Sequence, residues 1–439
     1  MTPPDIPGLP ARATALRLLD AVLRRGETLE QAGAAASRGL KGEDRALAVA
    51  IASESLRWLG DLDALIDSAT AQRLADDVKP RSVLRLMLAQ TLRLGTPAHA
   101  VIATGLPLLS GGPRRLAHGV FSALLRREVQ LPAQPTLPAE VAARWDRAHP
   151  DRLDSIAAAL ADPPPLDLSL RDASETVQWC ERLGGTSLAP GHVRLPRGTA
   201  IEALPGFAEG AWWVQDFAAS LPVRLLGEGT GRTVLDLCAA PGGKTLQLAA
   251  AGWQVTALDR SARRLERLEA NLARAGLSAT IVTADALMWE PEERFDAILL
   301  DAPCTATGTC RRHPDVLHRI AAPQIVEMAG LQAALLARAV PWLAPGGRLI
   351  YAVCSLEPEE GEAQAAAVAL TPDPIRADEL PAGLLPAPDG SLRTDPAMLA
   401  DAGGMDGFFI ARWQALTHNL KRTSLSRQSS CAASSAWAG

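Results

Sequence analysis

The sequence is poor in several residue types, and each shortage excludes a class of protein or site. Only four lysines accompany forty arginines among the 439 residues, and aromatic residues make up 4% with a single tyrosine. The six cysteines include no CxxC pair, and no histidine spacing completes a zinc site. We therefore expect reduced thiols and no bound metal.

The chain also lacks the signals for membrane insertion and export. No apolar run reaches the length of a membrane span, and residues 1–19 lack the charged, apolar and cleavage regions of a signal peptide. We therefore expect a cytoplasmic protein that does not act at a membrane. The net charge of −5 argues against nonspecific binding of nucleic acid over the whole surface but is compatible with a local basic cleft. A hydrophobic content of 48% predicts two or three globular domains.

The stretch from Thr233 to Thr245, TVLDLCAAPGGKT, is the most informative feature that is present. Its first five residues are mostly β-branched or aliphatic and predict a buried parallel strand, which the proline and two glycines that follow must end. A helix is predicted to begin near Lys244. Such a turn presents free backbone N–H groups at the carboxyl edge of a sheet, where α/β folds bind cofactors.

Three cofactors compete for this turn. Its end, Gly243-Lys244-Thr245, resembles a phosphate-binding P-loop, and residues 298–301 resemble the apolar strand and aspartate that hold the magnesium of such proteins. The P-loop alternative is weakened because Cys238 stands where its first glycine is needed. The dinucleotide fingerprint G-x-G-x-x-G is absent, since the turn reads AAPGG. We therefore predict S-adenosylmethionine as the cofactor.

Two charged residues support a cofactor at the turn. Asp259 ends the next predicted strand at about the spacing expected for an acceptor of ribose hydroxyls, although a solvated aspartate that caps the following helix gives the same pattern. Lys244 stands out against the arginine bias, because a planar guanidinium cannot freely replace a compact ammonium. The predicted cofactor-binding residues are Cys238, Ala239, Ala240, Pro241, Gly242, Gly243, Lys244, Asp259, Arg264, Asp285 and Asp301.

The N-terminal region predicts helices only. Residues 10–128 are rich in alanine, leucine and arginine, with apolar positions at helical spacing. Breaks between helices are predicted at Gly26, Lys79-Pro80, Thr96-Pro97 and 110–113. The last predicted helix carries four arginines that either contact phosphates or form a solvated face, namely Arg114, Arg115, Arg126 and Arg127.

The rest of the chain predicts an α/β protein. A proline-rich linker at 131–138 precedes a small α+β module, and a doubly wound, mostly parallel sheet follows. Its strands are predicted near 233–237, 254–259, 279–283, 295–301, 347–354 and 407–413, with the longest helix at 323–342 and a turn at 344–347. The predicted domains are 1–133, 134–213 and 214–416, followed by a disordered tail at 417–439 that contains Cys431 as an idle thiol.

Two cysteines follow apolar strands directly. Cys304 lies three residues past Asp301, and Cys354 ends the predicted strand at 347–354. If these two strands are neighbours in the sheet, both thiols face the crevice onto which the cofactor turn opens. A lone cysteine is more often a small core residue than a nucleophile, but two at equivalent strand ends beside an aspartate favour a chemical role.

This set of residues suits methylation at an unreactive ring carbon. Carbon 5 of a cytosine attacks a sulfonium methyl poorly until a thiolate adds at carbon 6 and an acid protonates nitrogen 3. Asp301 is the predicted acid, and Asp285 is predicted to face the adenine of the cofactor unless it caps a helix. The predicted catalytic residues are Cys354, Cys304, Asp301 and Lys244.

Several motifs resemble those of the bacterial Sun/Fmu-type (RsmB-like) rRNA cytosine-C5 methyltransferases, and the resemblance covers most of the chain. In order they are LAHGVF (116–121), LLRR (124–127), VQD (214–216), the turn at 238–244, DAPC (301–304), RRHPD (311–315), CS (354–355) and DGFF (406–409). The resemblance implies a NusB-like N-terminal domain and a Rossmann-like class I methyltransferase domain. It also implies that Cys354 attacks and that Cys304 assists the later elimination. Spacing alone does not assign these roles, since DNA cytosine methyltransferases attack with their Pro-Cys thiol.

The sequence departs from the family pattern at two positions near these thiols. Thr305 stands where serine is common, and Val353 stands where threonine is common. Neither change removes a catalytic group.

We predict S-adenosylmethionine-dependent methylation of carbon 5 of a cytosine in small-subunit (16S) rRNA through a covalent bond between cysteine and carbon 6. The helical and mixed regions are predicted to hold the RNA, and no obligate protein partner is evident. A second class stays open, because the N-terminal region resembles an RNA-binding transcription-factor fold. In that alternative the protein is a ribosome-assembly or antitermination-like factor with little catalysis.

Overall fold

The computed structural model describes residues 6–417. The predicted disordered tail, residues 417–439 with Cys431, lies outside the described residues except for its first member. Within the described range, no helix is both long enough and apolar enough to cross a bilayer.

The N-terminal region is a bundle of packed helices around an apolar core, as predicted. The helices are α1 (Leu9–Arg25), α2 (Leu29–Ala36), α3 (Gly42–Arg57), α4 (Leu59–Ser68), α5 (Lys79–Leu92), α6 (Ala98–Gly105) and α7 (Gly111–Arg126). Helix α1 ends because Gly26 adopts a left-handed conformation with φ 67°. The predicted breaks coincide with boundaries between helices, whereas the boundaries at 37–41 and near Trp58 were not predicted. Gly39 lies in the first of these, and Gly60 lies inside α4 just after the second.

The middle region contains α8 (Ala139–Ala148), α9 (Leu153–Ala159), β1 (Leu166–Leu170), α10 (Thr176–Leu183), β2 (His192–Leu195) and β3 (Trp212–Val214). The strands form an antiparallel sheet in the order β2-β1-β3. Helices α8 and α9 pack elsewhere, because Val141, Trp145 and Ile156 share a core with Val316 and Leu356 of the C-terminal region.

The C-terminal region is a Rossmann-like α/β domain, which confirms the predicted fold class. Its first half contains α11 (Phe217–Leu226), β4 (Thr233–Leu237), α12 (Gly243–Ala250), β5 (Gln254–Asp259), α13 (Ala262–Ala275), β6 (Thr280–Thr283) and β7 (Phe295–Asp301). Its second half contains α14 (Val316–Arg319), α15 (Ala322–Ala339), β8 (Leu343–Val353), α16 (Glu362–Ala366), β9 (Thr371–Pro372), β10 (Leu392–Arg393) and β11 (Phe409–Gln414).

The large sheet has the order β10-β11-β8-β7-β4-β5-β6, with β9 paired to β11. Strands β4 to β8 pair in parallel, and β11 runs antiparallel to β8. Two predicted elements differ in detail. The turn at 344–347 is an irregularity inside β8, where Gly346 takes φ 77° and the register against β7 shifts. Helix α15 ends before Pro341, because a proline cannot continue the hydrogen-bonded helix.

The helical bundle is fixed directly to the C-terminal domain. The guanidinium of Arg57, 4% exposed, donates to the carbonyl of Arg311 at 2.7 Å and to that of Leu160 at 2.9 Å. The ring of His318 lies 2.7 Å from the carbonyl of Leu56. The bundle therefore rests on the segment that follows Cys304.

Candidate active site

The predicted cofactor turn joins β4 to α12 at the carboxyl edge of the large sheet. Cys238 leaves the strand with φ 61°, and Gly242 takes φ 107° immediately before the helix. A side chain on Gly242 is excluded twice, by this backbone conformation and because an added Cβ would lie 2.7 Å from the Cγ of Leu268. The turn therefore needs glycine at this position, and it leaves the first N–H groups of α12 facing the crevice.

Asp259, at the end of β5, holds the turn in place. Its carboxylate is 3% exposed and accepts the backbone N–H of Ala240 at 3.1 Å and that of Ser261 at 2.9 Å. The Arg264 guanidinium donates to the carbonyl of Ala240 and lies 3.6 Å from the carboxylate. Both predicted cofactor residues thus support the turn itself. Each oxygen of Asp259 still has a second lone pair with which to accept a hydroxyl.

Asp285 follows β6, the strand beside β5. It is exposed, and its carboxylate accepts the N–H of Leu287 at 2.9 Å in a turn. The alternative of a helix N-cap is wrong, because no helix follows Asp285 before β7. The ends of β4, β5 and β6 are adjacent and carry, in turn, the glycine turn, Asp259 and Asp285. This crevice fits an adenosine that spans neighbouring strand ends.

Lys244 and Asp301 form an ion pair beside the turn. The Nζ of Lys244 lies 2.7 Å from one carboxylate oxygen of Asp301 and 5.3 Å from the centre of the Phe408 ring. Asp301 is about one-third exposed at the end of β7, and its second oxygen has no hydrogen-bond partner within residues 6–417. It therefore faces the crevice with a free acceptor.

Two buried groups lie beneath this pair. Asp236 is fully buried and accepts the hydroxyl of Thr245 at 2.6 Å, while its other oxygen has no partner among the described residues. Burial raises the pKa of Asp236 to about 7. Burial also raises the pKa of the Cys238 thiol to about 12, so this cysteine stays protonated and lines the turn without acting as a nucleophile.

The structure brings the other two thiols together. Strands β7 and β8 are parallel neighbours, which meets the condition under which both thiols face one crevice, and the Sγ atoms of Cys304 and Cys354 lie 3.5 Å apart beyond their ends. The hydrogen bond to Cys354 and burial raise the pKa of Cys304 well above its usual value. Cys304 therefore keeps its proton, and the two sulfur atoms lie within hydrogen-bond reach of each other.

A buried carboxylate, Glu360, ties the two thiol-bearing loops together. It accepts the N–H of Thr305 at 2.9 Å and its hydroxyl at 2.5 Å, the hydroxyl of Ser355, and the amide of Gln332 at 3.1 Å. Gln332 also donates to the carbonyl of Pro303 at 2.8 Å. We call Glu360 with Thr305, Ser355 and Gln332 the glutamate clamp. The threonine at 305 keeps the hydroxyl that this clamp uses.

A third loop completes the thiol site. The N–H of Gly308 donates to the carbonyl of Cys354 at 3.0 Å, and the N–H of Gly407 donates to the carbonyl of Gly308 at 2.8 Å. Asp406, fully buried, contacts the guanidinium of Arg312. The RRHPD and DGFF segments therefore meet behind Cys354.

Comparisons with known proteins agree with this architecture. A family model described as 16S rRNA methyltransferase RsmB/F matches residues 223–414, and a NusB family model matches residues 9–110. Ribosomal RNA small subunit methyltransferase B of Klebsiella pneumoniae is 34% identical over 431 residues, which cover 91% of this chain and 97% of that protein. The protein of the same name from Salmonella arizonae is 34% identical over 384 residues, or 80% and 88% of the two chains. The chain belongs to the RsmB/F family.

Solved structures support the fold of this RsmB/F member. The crystal structure of PH0851 superposes with a TM-score of 0.70 at 22% identity, over 93% of this chain and 99% of that one. A methyltransferase homolog protein from Pyrococcus horikoshii gives a TM-score of 0.53 at 28% identity, over 62% and 94%. The resemblance drawn from the motifs is confirmed, and S-adenosylmethionine is the cofactor, as predicted. The P-loop alternative is wrong.

Sequence reasoning missed the glutamate clamp. Glu360 stands in the run EPEEGE, which looks like a solvated acidic turn, and Gln332 lies inside a long amphipathic helix. One available signal was that the run begins three residues after Cys354, where a polar network has to hold the loop.

Proposed function

We propose that this protein methylates carbon 5 of a cytosine in 16S rRNA through a covalent bond between Cys354 and carbon 6 of the base. One observation carries the proposal: two thiols lie 3.5 Å apart at the carboxyl ends of adjacent parallel strands. The Lys244–Asp301 pair, with a 2.7 Å contact, lies at the end of one of these strands. The relatives named ribosomal RNA small subunit methyltransferase B support rRNA as the substrate class.

The cofactor is held by the turn and the two strand ends beside it. Bound S-adenosylmethionine supplies an electrophilic methyl group on a sulfonium. Asp259 would accept ribose hydroxyls through its remaining lone pairs, Asp285 would serve the adenine side, and the N-terminus of α12 would serve the polar end of the cofactor.

The attack needs a thiolate at carbon 6 of the cytosine and an acid at nitrogen 3, the ring atom opposite carbon 6. Cys354, its proton passed to solvent, adds as a thiolate to carbon 6. Asp301, which takes up a proton from solvent when the base binds, gives that proton to nitrogen 3 as the electron pair of the carbon 5–carbon 6 double bond moves into the ring. Lys244 orients the Asp301 carboxyl through the oxygen that it contacts, while the free oxygen meets nitrogen 3. The resulting enamine makes carbon 5 nucleophilic, and carbon 5 takes the methyl group.

Release reverses the addition. Cys304, as a thiolate after its own proton has passed to solvent, removes the proton from carbon 5. The electron pair of that C–H bond re-forms the carbon 5–carbon 6 double bond and expels Cys354 as a thiolate, and nitrogen 3 returns its proton. The hydrogen bond to Cys354 is the first cause of the raised pKa of Cys304, and it is lost once Cys354 is bonded to carbon 6, so Cys304 then gives up its proton more easily.

Matched alanine substitutions distinguish the roles of the two thiols. Cys354→Ala should abolish methylation and form no covalent RNA adduct, because no route to the enamine remains. Cys304→Ala should still add and transfer the methyl group but stall at elimination, leaving protein linked to methylated RNA. A denaturing gel with labelled RNA shows the adduct as a slow band. Adduct in Cys354→Ala with none in Cys304→Ala would reverse the roles, and unchanged methylation in both would refute the mechanism.

A second function has one specific observation in its favour. The match of residues 9–110 to the NusB family supports an RNA-binding factor in ribosome assembly with little catalysis. Incorporation of labelled methyl groups into 16S rRNA distinguishes the two: a catalytic protein labels rRNA with many turnovers, whereas a binding factor does not.

A further inference from the structure

A cleft lined by arginines separates the helical bundle from the methyltransferase domain. One part, about 470 Å³, has Arg45 and Arg57 on the bundle side and Arg197, Arg311 and Arg312 opposite. An adjoining part of about 540 Å³ adds Arg38 and His313. The two parts share Arg45 and Arg312, so they form one continuous depression, here called the arginine cleft.

Part of the positive charge of the arginine cleft is unbalanced: Arg57 pairs with Glu54 and Arg312 with Asp406, whereas three other arginine side chains have no partner among the described residues. Arg38, Arg45 and Arg197 are exposed and make no hydrogen bond or ion pair within residues 6–417. Glu30 is the acidic residue of its lining, and that carboxylate lies 3.5 Å from Arg267 outside the cleft. An open groove with several unpaired guanidinium groups attracts a polyanion.

Arg311 is a buried arginine in the wall of the cleft. It is 4% exposed and its guanidinium donates to the carbonyl of Gly403 at 2.5 Å. Its Nε and one Nη are buried without a partner among the described residues. The carboxylates of Asp406 and Asp216 act on its charge, so Arg311 adds to the positive potential of the cleft and does not itself reach a ligand.

The cleft is structurally continuous with the thiol site. Arg312, in its wall, contacts the carboxylate of Asp406. Gly407, the next residue, donates to the carbonyl of Gly308, which in turn donates to that of Cys354. A strand held in the cleft therefore lies against the segments that position the nucleophile.

We propose that the arginine cleft binds the phosphates of single-stranded RNA beside the target cytidine. The inference rests on the proposed function, because a base that reacts at carbon 6 must leave its stack and its flanking strand must then be held. Grooves that follow a single strand use basic side chains along the backbone, and the planar fork of arginine matches phosphate oxygens. The bundle therefore acts on RNA through α3, whereas Arg114 and Arg115 are exposed on α7, which does not line the cleft.

The test compares two charge-matched double variants of the full-length protein. Arg45→Ala with Arg197→Ala removes two exposed, unpaired arginines of the cleft, and Arg114→Ala with Arg115→Ala removes two exposed arginines of α7. Binding of a labelled single-stranded 16S rRNA fragment is measured by anisotropy over a series of salt concentrations. We expect the cleft variant to bind about tenfold more weakly and to lower the slope of log K against log salt by about two. The α7 variant should stay within about twofold of the parent.

Several outcomes decide the inference. Arg45→Lys with Arg197→Lys should keep most of the affinity, since a phosphate contact tolerates either cation better than it tolerates alanine. Parent-like binding by the cleft variant, or an equal loss in the α7 variant, overturns the inference. Displacement by polyglutamate as readily as by RNA assigns the cleft to an acidic protein instead. Binding is measured without methyl donor, so failure of the thiol variants to behave as proposed is a separate result.

Discussion

The cofactor turn and the thiol pair lie at the same edge of one sheet, yet the chain builds them differently. The bonds from Asp259 and Arg264 to Ala240 join residues at most 24 positions apart. The bond from Thr305 to Glu360 spans 55 positions. The turn is a local structure, and the glycines in its sequence indicate its backbone conformation. The thiol pair depends on groups that only the tertiary fold brings together.

For the thiols, the approximate position of each group and the exact geometry between the two groups therefore have different origins. The position of each thiol follows from its place at a strand end. The 3.5 Å separation of the two sulfur atoms depends on the glutamate clamp and on the Gly308–Gly407 junction. Damage to the clamp should therefore affect chemistry and leave the cofactor bound, and damage to the turn should do the opposite.

The largest effect is expected from Glu360→Ala. The substitution leaves buried donors of Thr305, Ser355 and Gln332 without an acceptor, so the free energy of unfolding should fall by about 3 kcal/mol. The loops that carry Cys304 and Cys354 lose their registration, and kcat should fall by roughly 100-fold or more. Methylation rates and urea unfolding measure the two effects.

Glu359→Ala is the matched control, because Glu359 is the exposed neighbour of Glu360. Glu359→Ala should change kcat by less than about twofold and the free energy of unfolding by less than about 0.5 kcal/mol. In Glu360→Ala the affinity for S-adenosylmethionine should stay within about twofold. A kcat close to that of the parent enzyme, in a variant shown to be folded, means that the clamp does not position the thiols.

Particular residues show how far the sequence could predict this molecule. The strand ends and the glycine turn were predictable, because short apolar runs and turn chemistry are encoded locally. The break near Trp58 was not, because the nearest glycine, Gly60, lies inside the next helix and not at the break. The glutamate clamp and the unsatisfied guanidinium of Arg311 were invisible, since burial of a charged residue depends on which distant segments cover it.

The second effect is a pH dependence of the free energy of unfolding, and it comes from Asp236 beneath the cofactor turn. Burial raises the pKa of Asp236 to about 7 from an ordinary value of 3.8, so the folded state binds this proton more tightly than the unfolded chain does. The stability due to this group is fully present below pH 3.8 and is lost as the pH rises through about 7. The asparagine in Asp236→Asn does not ionise, so this variant does not lose stability for that reason as the pH rises. The variant should therefore gain about 2–4 kcal/mol on the parent between pH 4 and pH 8.

Urea unfolding of both proteins at several pH values measures this gain. Only the difference between the two profiles is informative, because every other titrating group contributes equally to both. Profiles that run parallel from pH 4 to pH 8 would show that Asp236 titrates in the folded protein as it does in the unfolded chain.

The smallest effect is expected on the affinity for the cofactor, when the residue that holds the turn is replaced. Asp259→Ala should weaken binding of S-adenosylmethionine by about 1.5–3 kcal/mol, because the ribose hydroxyls lose a charged acceptor and Ala240 loses the group that holds the turn. Calorimetric titration measures the affinity. The covalent adduct should still form with RNA, because the attack proposed for Cys354 makes no use of Asp259.

Asp285→Asn serves as the control for this last prediction. Asparagine can still accept the N–H of Leu287, so the turn after β6 is preserved and only the charge is lost. Because Asp285 is exposed, its substitution should cost less than about 1 kcal/mol of cofactor affinity. An equal loss in both variants would indicate that negative charge at the edge of the crevice matters more than the contact of Asp259 with the ribose. An unchanged affinity in Asp259→Ala would remove Asp259 from the cofactor site.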